Sequence, residues 1–245
     1  MPNIKAVIEY DGTDFYGFQR QPSVPTVHGE IERALARLFR EQAVKVIGAG
    51  RTDAGVHATG QVVSFGAPES FPTDRICPAL NGVLPMAIRV KEAKEVPDSF
   101  HARYSAKART YAYVVLNREA PSAILARYAW HVTRPLNLEA MQAAAAELVG
   151  KRDFASFGTP ERAGGSTVRR ILEFGIGRRK DAILLVIRAD AFLRGMARAM
   201  VGALVEVGQG KRSPAVIAEI LSARDRGAAG PSAPPQGLFL TRVEY

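Results

Sequence analysis

The chain has 245 residues, of which 47% are hydrophobic, with 33 Lys and Arg against 24 Asp and Glu and a formal net charge of +9. That length admits one large domain or two smaller ones and can bury a sizeable core, while the absence of any run of about 18 apolar residues leaves no transmembrane helix to expect. The single cysteine, Cys77, excludes an internal disulfide and fits a reducing compartment, and one Cys beside four His excludes a Cys-rich zinc site. The cationic excess points to a polyanionic partner, with a membrane surface the weaker option and a merely basic protein the plain alternative. The N-terminus lacks a long apolar segment with a small-residue cleavage site, so no signal peptide is expected.

Ile4–Tyr10 reads as a strand and Asp11–Asp14 as a turn. Residues 26–40 carry a helical stripe through Ile31, Leu35, Leu38 and Phe39, with Thr26 as N-cap. Two short strands, Val44–Ile47 and Val62–Phe65, flank the run Gly48-Ala49-Gly50-Arg51-Thr52-Asp53-Ala54-Gly55-Val56-His57-Ala58-Thr59-Gly60-Gln61. Its glycines let backbone approach a neighbour closely, so the run is a loop that presents Arg51 and Asp53. The plain alternative is an Asp that bonds its own backbone in a turn. Thr73–Leu84 reads as a helix capped by Thr73, and Ala87–Val90 as a strand. The order β-α-β-β-α-β over the first hundred residues is that of a ferredoxin-like α+β unit.

The second half reads as an elaboration of the same order. Arg109–Leu116 alternates with Tyr111, Tyr113 and Val115 on one face. Asn137 caps a helix through Leu138, Met141, Ala145 and Leu148, closed by Gly150. Strands at Val168–Ile176 and Ala182–Ala189 follow, joined by a Gly177–Asp181 linker that holds Arg178 and Arg179. Phe192–Val207 reads as a helix with Leu193, Met196, Met200 and Leu204 inward. Arg194 and Arg198 then share the opposite face, as a solvated pair or as a grip on a carboxylate or phosphate. Ser213 and Pro214 open another helix, as cap and first residue, and Leu238–Val243 is a last strand. The expected division is an N-terminal α+β domain over 1–104, holding the Asp53 loop, and a C-terminal α+β domain over 105–245.

The Gly50–His57 run resembles the active-site motif of the bacterial tRNA pseudouridine synthase A family. Further stretches are similar to that family in order along the chain: Tyr10–Gln19, Leu80–Pro85, Phe100–Tyr111, Asp153–Phe157, Val207–Lys211 and Pro235–Leu240. Met196-Ala197-Arg198-Ala199 departs from a usual Met-Val-Arg-Asn but keeps the arginine, and Phe18 stands where many members have Trp.

The resemblance implies a pseudouridine synthase fold, with two ferredoxin-like-derived α/β units and antiparallel or mixed sheets flanking a basic cleft. It implies isomerisation of uridine to pseudouridine at positions 38, 39 and 40 in the anticodon stem-loop of tRNA, by a cytoplasmic homodimer without cofactor, metal or protein cofactor. Asp53 is then the nucleophile, acting at C1′ or C6 or through a glycal. Tyr111 stacks on the uracil and assists proton transfer, where core packing is the plain alternative. Arg198 pairs with Asp53 and keeps it ionised, and Arg51 takes the place of the extruded nucleotide. For His57, holding the loop is preferred over general base catalysis. Two other classes stay open: a non-catalytic RNA-binding protein, and a metal-dependent hydrolase using Asp53 and His57.

Overall fold

The computed structural model describes residues 1–41 and 43–245, which divide into two compact units: Met1–Lys107 with Phe239–Tyr245, and Ala108–Leu238. The division expected from the sequence places all of residues 105–245 in the second unit. The last strand instead belongs with the first, because Phe239 and Leu240 pair in parallel with His57 and Ala58.

In the first unit, β1 (Asn3–Tyr10) buries every second residue, Ile4, Ala6, Ile8 and Tyr10, as a strand with one face inward must. It pairs antiparallel with β3 (His57–Gly66) on one side and β4 (Ile88–Val96) on the other. β2 is only Ile47–Gly48, shorter than the expected strand from Val44, and pairs antiparallel with β3. The first four strands therefore lie in the order β4-β1-β3-β2, and β10 (Leu238–Glu244) joins β3 at its His57 end. α1 (Val27–Phe39) starts where expected, with Thr26 Oγ1 accepting from the Gly29 N–H, and buries Val27, Ile31, Leu35 and Phe39. α2 (Thr73–Val83) buries Ile76 and Leu80; Pro72 is its N-cap, and Thr73, expected as the cap, is already helical.

The second unit contains β5 (Ala108–Asn117), β6 (Trp130–Val132), α3 (Leu138–Ala146), β7 (Gly150–Asp153), β8 (Val168–Arg179), β9 (Ala182–Ala189), α4 (Met196–Gly208) and α5 (Val216–Ala223). Its strands run β5-β9-β8-β7 in antiparallel pairs, with β6 parallel to β5. Asn137 caps α3 as expected, its Oδ1 accepting from the Ala140 N–H.

Four local expectations differ from the structure. β6 and β7 are too short to show a period, and Gly150, expected to close α3, opens β7. Arg178 and Arg179 lie inside β8, and only Lys180 and Asp181 turn the chain. α4 begins at Met196, because Gly195 takes φ 76 and breaks helical continuity; Arg194 is therefore outside the helix and bonds through its backbone to Thr159. Ser213 and Pro214 form a backbone turn ahead of α5, whose N-cap is Ala215.

Asp153 closes β7. Its Oδ1 accepts from Thr167 Oγ1 at 2.5 Å and from the Ala155 N–H at 3.1 Å, and its Oδ2 faces Arg224 Nε at 3.3 Å. These contacts, led by the Thr167 hydroxyl, hold its carboxyl below the ordinary range against an opposing effect of burial. A carboxyl with a lowered folded-state pKa stabilises fully above its unfolded value of about 3.9, and loses that contribution as pH falls through the folded value. Chemical denaturation of Asp153→Asn should therefore show it less stable than wild type at pH 6, with the gap narrowing below pH 4.

Candidate active site

The Asp53 loop is held by the turn that follows β1. The Gly12 N–H donates to His57 Nδ1 at 3.0 Å, the Phe18 N–H to the Thr52 carbonyl at 3.0 Å, and the Gly55 N–H to the Phe15 carbonyl at 3.3 Å. Side chains add to this. Tyr10 Oη and Thr52 Oγ1 share a buried hydrogen bond of 2.7 Å, and Arg51 Nε donates to Gln19 Oε1 at 3.0 Å. From within β3, Gln61 Nε2 donates to the Gly50 carbonyl at 2.9 Å while its Oε1 accepts from the Val62 N–H.

Two of these contacts depend on absent side chains. A Cβ on Gly12 would run into the Val56 carbonyl, and one on Gly17 would lie 2.8 Å from the Thr52 carbonyl. The stretches 10–19 and 50–57 are thus one packed object.

Within it, Arg51 is exposed and Asp53 partly buried, between buried Thr52 and Val56. The Asp53 carbonyl accepts from the Val56 N–H at 3.1 Å, which closes the turn through backbone. Burial pushes the Tyr10 phenol well above its ordinary pKa, opposed by its hydrogen bonds to Thr52 and Gln61, so it supports the loop as a neutral hydroxyl.

His57 is buried, with its ring stacked on Phe239 at 4.8 Å. Nδ1 also lies 3.2 Å from Asp11 Oδ1. That carboxylate already accepts from the Thr13 N–H and Oγ1, and an Nδ1 that accepts from Gly12 has no proton to offer it. The neutral ring anchoring the Asp11–Gly12 backbone is the geometry of a loop-holding residue. Asp11 and His57 are two donors side by side, and among the described residues no group of three His, Cys, Asp or Glu is placed to hold a metal ion.

The second unit carries the other two candidates. Tyr111 stands on β5 opposite Ile187, 7% exposed, with the Phe192 ring edge-on at 4.8 Å. Arg198 lies in the first turn of α4, partly buried. Its Nε donates to the Ala233 carbonyl at 2.8 Å, and the Ala233 N–H returns a bond to the Arg198 carbonyl at 2.9 Å. Tyr113 Oη donates to the Pro234 carbonyl at 2.8 Å, so the 233–234 backbone is tied to both β5 and α4. Burial drives the Tyr113 phenol far above its ordinary pKa, partly offset by the Arg198 charge. Arg198 is therefore not the solvated partner of Arg194.

This arrangement places a carboxylate on a stiff loop in one unit, and a partly buried arginine and a buried tyrosine on regular elements in the other. The tRNA pseudouridine synthase family model matches residues 6–105 and 144–245. The chain belongs to this family, whose members are isomerases with the pseudouridine synthase fold.

The tRNA pseudouridine synthase A of Thermoanaerobacter sp. (strain X514) is 42% identical over 245 residues, spanning all of both chains. That of Halalkalibacterium halodurans is 46% identical over 242 residues, 99% of this chain and 92% of the relative. A crystal structure of the archaeal box H/ACA sRNP Nop10-Cbf5 complex aligns with 83% of this chain and 43% of that one, at 13% identity and a TM-score of 0.37, too loose a match to bear on the site.

Local sequence patterns do not by themselves single out the residues that support the loop: Tyr10, Gly12, Gly17, Gln19 and Gln61. The signal available was the turn-like Asp11–Asp14 run followed by Gly17, an excess of glycine with no loop length to explain it. Gly12→Ala should force the Val56 carbonyl away and move the Asp53 loop. The expected cost is roughly 1–3 kcal/mol, the range for overpacking a tight contact, measured by urea denaturation.

Proposed function

We propose that the protein isomerises uridine to pseudouridine at positions 38, 39 and 40 of the tRNA anticodon stem-loop. Formation of pseudouridine in tRNA is the activity that family membership carries. The observation that carries the site assignment is the clamped loop, which holds Asp53 rigidly beside an exposed Arg51. In the reaction the N1–C1′ bond breaks, the uracil turns, and C5 bonds to C1′; N1 ends with a hydrogen and C5 loses one. Asp53 is the nucleophilic carboxylate. Arg198 pairs with it and favours its ionised form. Tyr111 stacks on the uracil, and its hydroxyl assists removal of the C5 proton. Arg51 fills the gap left by the extruded nucleotide.

RNA binding is supported by cations set opposite one another: Lys151 faces Arg170, and Arg152 faces Arg169, across β7 and β8. Like charges in register destabilise a sheet, and a phosphate backbone relieves that repulsion. Arg178 is less suited to this, since its Nη2 donates to Asn117 Oδ1 at 2.8 Å.

Asp53→Asn should bind tRNA yet release no tritium from C5-labelled uridine in a single turnover, because an amide is a poor nucleophile; near-normal turnover would remove Asp53 from the chemistry. In the same assay Arg198→Ala should fall steeply and Arg198→Lys recover in part, since an ammonium lacks the planar fork. Exposed Arg194→Ala should change little.

The protein acts in the cytoplasm as a homodimer. Among the described residues no helix is long and apolar enough to cross a membrane. On the sheet face opposite Tyr111, Leu184 and Val186 of β9 lie beside Val114 and Ala112 of β5 and Gly177 and Gly175 of β8, with Leu184 44% exposed. This apolar strip is the surface for the second copy. Leu184→Glu should sediment as a monomer where wild type sediments as a dimer; unchanged sedimentation would place the interface elsewhere.

A further inference from the structure

Arg51 is exposed, yet its guanidinium is fixed from behind by a chain of polar groups whose donors and acceptors are fully determined. Arg51 Nε–H can only donate, and it does so to Gln19 at 3.0 Å, so the Gln19 carbonyl oxygen faces Arg51. The Gln19 amide nitrogen then faces His28 Nδ1 at 3.4 Å. An amide NH2 only donates, so Nδ1 carries the lone pair and the imidazole proton sits on Nε2. Nε2 faces the Val46 carbonyl at 2.9 Å, which only accepts, and Glu32 Oε1 at 3.3 Å. The two ends of the ring therefore require the same neutral tautomer.

Packing holds the ring in place. His28 is nine-tenths buried and stacks on Phe18 with centroids 5.5 Å apart and planes 8° from parallel. The His28 N–H donates to the Phe18 carbonyl, and the Phe18 N–H donates to the Thr52 carbonyl next to Arg51. Arg20 Nη1 meets Glu32 Oε2 at 3.1 Å, which keeps that carboxylate occupied beyond the imidazole. The chain thus runs from buried backbone at Val46, through His28 and Gln19, to the exposed guanidinium.

We propose that Gln19 and His28 are positioning residues for Arg51, orienting its guanidinium before RNA binds. Ordering a long side chain on binding is costly, and a contact made beforehand lowers that cost when the nucleotide leaves the stack. The proposal rests on the role given to Arg51 above.

A double-mutant cycle on single-turnover rate and tRNA affinity tests it. Gln19→Leu should slow turnover about tenfold, the size expected for losing one hydrogen bond to a charged group, with a smaller change in affinity. In an Arg51→Ala background the same substitution should change the rate by less than about twofold, because its effect passes through Arg51. Gln19→Glu, which keeps an oxygen for Arg51 but offers no donor to His28 Nδ1, should recover the rate only in part. Equal losses from Gln19→Leu in both backgrounds, or none in the wild-type background, would overturn the proposal. An Arg51→Ala protein that turns over normally would instead remove the role of Arg51 itself, and the proposal with it. Nitrogen NMR of the wild-type protein gives an independent check: His28 should carry its proton on Nε2 at neutral pH, and a proton on Nδ1 would also overturn the assignment.

Discussion

The first unit depends on one close approach. Gly12 brings its backbone against the Val56 carbonyl and gives its N–H to His57 Nδ1, and nothing larger than glycine fits there. Because β1 ends at Tyr10 and β3 begins at His57, this contact joins the ends of two neighbouring strands. The sheet register, Tyr10 against Ala58, delivers the turn to the loop, and the loop stiffens as a result. Under the function proposed here the Asp53 carboxylate needs such stiffness, since a misplacement of about 1 Å at a reacting centre can cost a hundredfold in rate.

Around that contact the polar groups are matched rather than merely present. Tyr10 stays a neutral hydroxyl because burial opposes its ionisation, and it meets Thr52 one residue from Asp53. Gln61, fully buried, spends both ends of its amide on backbone. Buried polar groups left unsatisfied cost more than satisfied ones contribute, so each pairing also counts against alternative loop conformations. The second unit uses the same device with different parts: Arg198 and Tyr113 each spend a donor on the 233–234 carbonyls.

Much of this was legible in the sequence, and the exceptions have local causes. The strand at β1 and the caps Thr26 and Asn137 follow from period and side-chain chemistry alone, and the structure has them. The sequence pattern places the start of α4 too early because Phe192, Leu193 and Met196 continue an apolar stripe backward past Gly195, whose positive φ bounds the helix. Ser213 and Pro214 look like a helix opening, but their carbonyls, not the Ser213 side chain, receive the N–H groups of Val216 and Ile217.

Taken alone, the sequence determined the order of the first six elements, the cationic character of the chain and the motif that carries Asp53, because period, composition and local residue type are all short-range properties. It held Arg51, Asp53 and His57 within one run but could not show what that run rests on. The tertiary structure decided that residues 10–19 are its support, that Gln19 and His28 stand behind Arg51, and that the last strand returns to the first unit beside β3. Those are contacts between segments far apart in the chain. They depend on which carbonyl meets which N–H once the strands are in register, and no local pattern encodes that.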